Sequence, residues 1–476
     1  MSIINRAFLF ISLMTAFFSA RSQHQEISEK PLIYKSVKDS AIAARSLLEA
    51  FKSGRVNGHF RYFYMATNNE SPLTDYYANA LGGGLRFESG SFHRFRFAVS
   101  GFYTFNMGAS DLSLKDSFTG QFSRYETSLF DIENPNQKKD LDRLEEFYLR
   151  YDLPKGKLVF GRQFINTAFI NLQDGRMRPT SVKAIWWDGI LFSNIKMEGG
   201  WIYEVSPRGT MRWYNAGESV RLYSTGVNED GSKSEYAGNL KSKGIAVIGL
   251  SRSVGKNIRL QAWNYYTENI FNTSMLQADA TLFSSGKRKW LAGLQWVRQD
   301  AIKEGGNADP SKSYMRKDHS SMVISARFGS KSSRSEADIN YTRITKAGRF
   351  LMPREWGRDP FYTFLPRERN EGLGDVHAFT MRYGYTFWKE AAKAVVQAGY
   401  YDLPDVANYA LNKYGMPSYW QMNIDLRYRF RKSLEGFELQ WLTVGKKAAE
   451  KEAPALKYIF NKVNLMHHNL VINFYF

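Results

Sequence analysis

Between Ser418 and Phe430 the chain alternates with a period of two. Trp420, Met422, Ile424, Leu426, Tyr428 and Phe430 fall on one side, and Gln421, Asn423, Asp425, Arg427 and Arg429 fall on the other. Successive side chains of a strand point to opposite faces, so this is one long two-faced strand. Strands of soluble domains usually run only ~5–6 residues. The pattern recurs from Phe92 to Phe105, where Phe95, Phe97, Val99, Tyr103 and Phe105 oppose Arg94, Arg96, Ala98 and Ser100. It recurs again from His377 to Phe387, where Phe379, Met381, Tyr383, Tyr385 and Phe387 oppose Thr380 and Arg382. About eighteen such segments follow Val56.

The joints between segments differ in kind. Tight polar turns stand at Ser89 to Ser91, Pro154-Lys155, Ser193-Asn194, Ser285 to Arg288, Ser330 to Ser333 and Arg431 to Ser433. The joints between these turns are long: Asn106 to Arg143, Phe164 to Thr180, Val205 to Ser242, Asp300 to Asp318, Ile344 to Asp375 and Gly445 to Val463. A sheet with one short-turned end and one long-looped end matches an outer-membrane barrel, with short periplasmic turns and longer outer loops. Lipid leaves backbone groups no water to bind, so only a helix or a closed sheet can span it. The mean hydropathy of −0.44 fits the barrel, whose two faces average out. Aromatic residues reach 15%, as two interfacial girdles require. The expected fold is therefore all-β: a transmembrane antiparallel up-and-down barrel of about 18 strands over residues 56–476. At that size the interior is a water-filled passage, and selectivity requires a charged loop folded inward.

Three segments divide the chain. Arg6, the apolar run Ala7 to Phe18 and the small residues Ala20 and Ser22 read as a signal peptide over 1–22. An N-terminal periplasmic segment follows over 23–55, with Val37, Ala41, Ala44, Leu48 and Phe51 on one face of a predicted helix that Gly54 ends. The barrel is the third. Export argues against nucleic acid as a partner, despite a net charge of +19. The expected location is the outer membrane of a Gram-negative bacterium, crossed many times. The expected surroundings are outer-membrane lipid and lipopolysaccharide.

Candidate chemistry is sparse. The chain has no Cys and only 7 His. His467 and His468 are adjacent on a strand and point opposite ways, so they cannot share a metal. There is no G-x-S-x-G or H-E-x-x-H, and Gly82-Gly83-Gly84 lacks the Lys-Ser/Thr of a phosphate loop. No metal, cofactor or enzymatic activity is expected. Parity places Arg61, Arg94, Arg96, Arg150, Arg259, Arg327, Arg382, Arg427 and Arg429 toward the lumen, with Glu146, Asp279, Glu336, Asp338 and Asp425 as acids on the same side. The modest excess of bases suggests a preference for anions. The block from Arg349 to Asp375, with Arg354, Glu355, Arg367, Glu368, Arg369 and Asp375, reads equally as a second inward loop at the channel mouth or as a salt-bridged cap. Leu470, Ile472, Phe474 and the terminal Phe476 alternate as in the C-terminal signal that barrels present to their insertion machinery.

Several blocks resemble OprD-type outer-membrane porins. They are Tyr76 to Leu85, Glu145 to Tyr151, and Gly161-Arg162-Gln163-Phe164 followed by Asp174-Gly175-Arg176-Met177-Arg178-Pro179. Pro353 to Gly357, Arg367-Glu368-Arg369 and Gly374-Asp375 resemble a loop of the family's more distant members. The resemblance implies an eighteen-stranded monomer whose third outer loop enters the pore and whose basic wall guides carboxylate-bearing solutes. Phe164 to Thr180 is the third joint on the long-loop side, so Asp174, Arg176 and Arg178 inherit the constriction role. The function so implied is passive diffusion of small polar solutes. The alternatives are a barrel serving adhesion or scaffolding, and a barrel hydrolase.

Overall fold

The computed structural model describes residues 32–34, 43–137, 139, 141–172, 176–368, 370–388, 390–450 and 454–476. The signal peptide, Asp174 and Arg369 lie outside the described residues.

Nineteen strands follow in chain order: β1 Arg55–Asn69, β2 Tyr76–Glu88, β3 Phe95–Ala109, β4 Asp142–Leu153, β5 Gly156–Gln163, β6 Ser181–Ile190, β7 Lys196–Ser206, β8 Tyr214–Asn215, β9 Ile245–Val254, β10 Ile258–Thr267, β11 Phe271–Ser285, β12 Arg288–Ala301, β13 Ser320–Lys331, β14 Ser335–Ile344, β15 Val376–Phe387, β16 Ala392–Asp402, β17 Tyr419–Arg429, β18 Phe437–Ala448 and β19 Leu465–Tyr475. Every ring strand pairs antiparallel with its neighbours in sequence, β7 pairing past β8 with β9. The ring closes where β1 meets β19, in register from His59↔Tyr475 to Asn69↔Leu465. The result is a closed 18-strand barrel, with the two-residue β8 as an extra strand outside the ring. Closure leaves no open sheet edge, which is what hydrocarbon demands.

The outward face is apolar along each strand. Phe60, Leu81, Leu149, Phe160, Leu276, Leu294, Phe379, Met422 and Trp441 are all exposed there. A band of this extent far exceeds what a soluble monomer exposes and marks the lipid contact. Outward rings stack across strands in two girdles. Phe283–Trp290, Trp290–Phe328 and Phe437–Phe474 lie toward the tight turns, and Tyr341–Phe379 and Tyr400–Trp420 toward the loops. Phe476 joins the turn-side girdle and lies over Gly58, where a Cβ would meet its ring at 2.0 Å.

The tight turns all fall at one end, as expected. At the other end two joints are short, residues 70–75 and 268–270, against the expectation that every joint there is long. The helix near the N-terminus, α1 Leu47–Lys52, covers only the last part of the predicted one. It starts where the Ser46 hydroxyl accepts from the Glu49 N–H. The predicted start at Val37 lies outside the described residues. A second short helix, α2 Leu456–Ile459, stands in the β18–β19 loop.

Candidate channel lumen

Two loops fold into the barrel from the long-loop end. The first is 164–180, the third outer joint. Ala168, Phe169 and Ile170 bury fully, and the Phe169 ring meets Tyr265, Phe350 and Phe361. The second is 345–375, whose residues Phe350, Trp356, Phe361 and Leu365 are almost wholly buried. Its described residues lie against inward-facing side chains of the wall. An irregular segment inside a barrel needs partners for its backbone, and the wall supplies them. Gln299 donates to the Leu351 carbonyl at 2.8 Å, Gln295 to Pro360 at 3.0 Å, Tyr401 to Thr363 at 2.8 Å, Gln421 to Pro366 at 2.8 Å and Lys446 to Arg367 at 2.8 Å. The two loops also bind each other, Thr180 donating to the Glu355 carbonyl and Asn171 to that of Arg358.

The β1–β19 seam collects guanidinium groups. Arg178 donates to both carboxylate oxygens of Glu145, at 2.7 and 2.5 Å, and to Nδ1 of His59 at 2.7 Å. Its guanidinium lies over the Phe102 ring, 4.5 Å from the centroid. Phe102 finds room because Gly82 and Gly84 have no Cβ, which would meet its ring at 2.4 and 2.6 Å. Arg61 is the next lumen residue of β1 after His59 and reaches over Phe63. Arg176 donates to the Ser128 hydroxyl at 2.6 Å and lies within electrostatic reach of Arg61 and His467. Arg367 donates to His467 Nε2 at 2.9 Å and to Asn469 at 2.7 Å. Asn469 pairs with Met65 in the ladder. The bases therefore climb from the level of His59 to that of Met65, roughly 20 Å of strand at ~3.4 Å per residue.

The other wall bases are mostly half of ion pairs. Arg96 and Arg150 share Asp152, at 3.0 and 2.5 Å, and Arg150 also reaches Glu88. Arg327 binds Asp279 at 3.0 Å, Arg382 binds Asp338 at 3.1 Å, Arg427 binds Asp425 at 2.8 Å and Arg429 binds Glu438 at 2.8 Å. Arg259 faces the lumen on β10, within reach of Glu198. Arg94 corrects its expectation: it stands exposed in the β2–β3 turn with φ 69°, because β3 begins only at Phe95.

In the 345–375 loop, Arg354 pairs with Glu371 at 3.4 Å and lies over the rings of Tyr223 and Tyr414. Glu355 is buried, which raises its carboxyl above the usual range. Its side chain accepts the Tyr223 N–H. Glu368 holds the Lys446 ammonium at 2.8 Å. Asp375 binds Arg343, which lies on the outward side of β14, so this carboxylate sits at the rim and not in the mouth.

Sequence reasoning placed Glu146 toward the lumen and missed Glu145 and Lys413. Glu145 and Glu146 both face inward because a bulge opposite Ser100 and Gly101 breaks the parity that would turn Glu145 toward lipid. Lys413 is fully buried among Tyr236, Tyr314 and Tyr414, with ring centroids 4.7, 4.9 and 5.4 Å away. Burial lowers its ammonium to about 8. Its cage joins three loops, and nothing in a linear reading brings them together.

These features define a transmembrane barrel with an internally constricted lumen. The chain has the fold of the OprD/Occ porins. Acinetobacter baumannii OccAB4 superposes with a TM-score of 0.67 at 16% identity, covering 89% of this chain and 98% of that one. Pseudomonas aeruginosa OpdO does so at 0.65 and 13% identity, covering 90% and 98%. Pseudomonas aeruginosa OpdK, solved with vanillate, gives 0.66 at 12% identity, covering 90% and 99%. No family model matches the sequence, and no curated protein sequence is similar to it.

Proposed function

We propose that the protein is an outer-membrane porin through which small polar solutes diffuse, with a preference for anionic and carboxylate-bearing ones. The observation that carries the reading is the run of Arg178, Arg61, Arg176 and Arg367 along one seam of a closed barrel. Guanidinium groups match carboxylates in shape and charge, and a series of them lets an anion pass from one to the next without a deep well. Glu145 neutralises part of the lowest rung, so the preference is moderate. Asp174 joins the constriction by its sequence position, two residues before Arg176. The OpdK structure contains vanillate, a carboxylate, which agrees with this solute class. The protein works as a monomer, set in lipid and lipopolysaccharide, and Phe474 and Phe476 serve its insertion.

The test is ion current in planar bilayers. An intact barrel that passes no ions overturns the porin reading. Given a current, Arg61→Gln, Arg176→Ala and Arg178→Ala shift the reversal potential toward cations. An unchanged reversal potential in all three removes the anion preference.

A further inference from the structure

The segment before the barrel does not stay outside it. The Leu32 carbonyl accepts from the Tyr475 hydroxyl at 3.0 Å, and Tyr475 is a lumen residue of β19 stacked on His59. Ile33 is 8% exposed. The Tyr34 ring lies under the Arg178 guanidinium, 5.1 Å from its centroid, and its hydroxyl points to Glu145 at 3.5 Å. Three consecutive residues thus occupy the turn-side lumen and cover the lowest arginine of the seam. Residues 43–52 lie at the rim. Ala43 bridges Ser91, the Gly90 N–H donates to Ala50, and α1 sets Phe51 against the outward rings of Phe87 and Phe97. Leu47 and Leu48 of α1 are 60% and 64% exposed on the outside, beside the aromatic girdle. Residues 32–34 are thus inside the barrel, and α1 faces the membrane interface.

We infer that Leu32, Ile33 and Tyr34 are an internal plug that closes the turn-side end of the arginine run and must be displaced for an anionic solute to leave it. The inference rests on the channel reading but is read out separately from it. Tyr34 offers Arg178 a π face and Glu145 a neutral donor, the contacts an aromatic carboxylate would contest. A solute carboxylate arriving at Arg178 replaces a cation–π contact with a charge-assisted pair, so anions themselves favour the open state.

The chain has no cysteine, so single thiols can be introduced cleanly. Ile33→Cys is expected to react with a membrane-impermeant maleimide far more slowly than Leu48→Cys. Adding Tyr34→Ala to Ile33→Cys raises its rate about tenfold, as loss of one cation–π contact and one hydrogen bond implies. In bilayers, Tyr34→Ala raises the single-channel conductance, and Tyr34→Phe keeps most of the wild-type value. Ile33→Cys reacting as fast as Leu48→Cys overturns the plug, as does conductance unchanged by Tyr34→Ala. A protected Ile33→Cys in a barrel that passes no current sinks the channel reading and leaves the seated segment standing.

Discussion

The loop-side half and the turn-side half of this barrel have the same outer surface and opposite interiors. Toward the loops, most inward residues are small, apolar or neutral: Val182, Ile202, Val247, Met275, Val323, Thr342, Ile344, Val376 and Ala378 are all buried, with Arg143 and Lys446 as charged exceptions. Toward the turns, the inward residues are Arg86 with Glu146, Arg150 with Asp152, Lys157 with Asp188, Lys393 with Glu336, and Arg429 with Glu438. Single strands show the change. Along β13 the lumen series runs Ser321, Val323, Ser325, Arg327, and the neighbouring β14 returns Glu336, Asp338, Asn340, Thr342, Ile344. Two inward loops fold only against a wall that offers apolar surface and a few donors. Elsewhere the wall meets water and carries charge. The lumen is therefore two materials, a packed core above and a wet vestibule below.

The comparison makes graded predictions. Trp356 is fully buried at the centre of the core half, so Trp356→Ala costs about 3–5 kcal/mol. Denaturant unfolding in lipid vesicles measures that cost, and conductance rises as the 345–375 loop loosens. Glu145→Gln strands Arg143 and Arg178 at the buried foot of the arginine run. A cost of about 3 kcal/mol in the same assay, with a larger anion preference, is expected from breaking a buried pair. On the outer surface, which the halves share, Leu294→Arg at the middle of β12 costs about 2–4 kcal/mol. In the vestibule, Arg427→Gln leaves stability within about 1 kcal/mol, as for an exposed pair. A large effect there would erase the distinction between the halves.

A pH test addresses the loops alone. Lys413 titrates at about 8 in the folded loops against 10.5 when free. Between those values the unfolded loops bind more protons, so stability rises with pH. Resistance of the outer loops to proteolysis should therefore increase from pH 8 toward 10.5, and Lys413→Met should abolish that part of the rise.

The strands were legible in the sequence because lipid and lumen act on alternate residues of every one. The tight turns were legible because an antiparallel ring must reverse in few residues. The 164–180 loop was readable through its resemblance, and the inward course of 345–375 was half readable: its charges suggested a mouth, while Phe350, Trp356 and Phe361 revealed a core only once the wall opposite was seen to be apolar. Pairing was not legible. Parity puts Arg327 and Asp279 inside, but only the register brings them together from non-adjacent strands. Parity also failed where it must, at the bulge beside Glu145 and at the turn that holds Arg94.

The seam between β1 and β19 joins the beginning of the barrel to its last residues. The strand that shuts the ring meets residues 400 positions away, whereas the other ring pairs join neighbours in sequence, so this closure carries the largest loop entropy of any pairing. The stretch that holds Tyr34 is fastened to this clasp, through the Tyr475 hydroxyl on the Leu32 carbonyl.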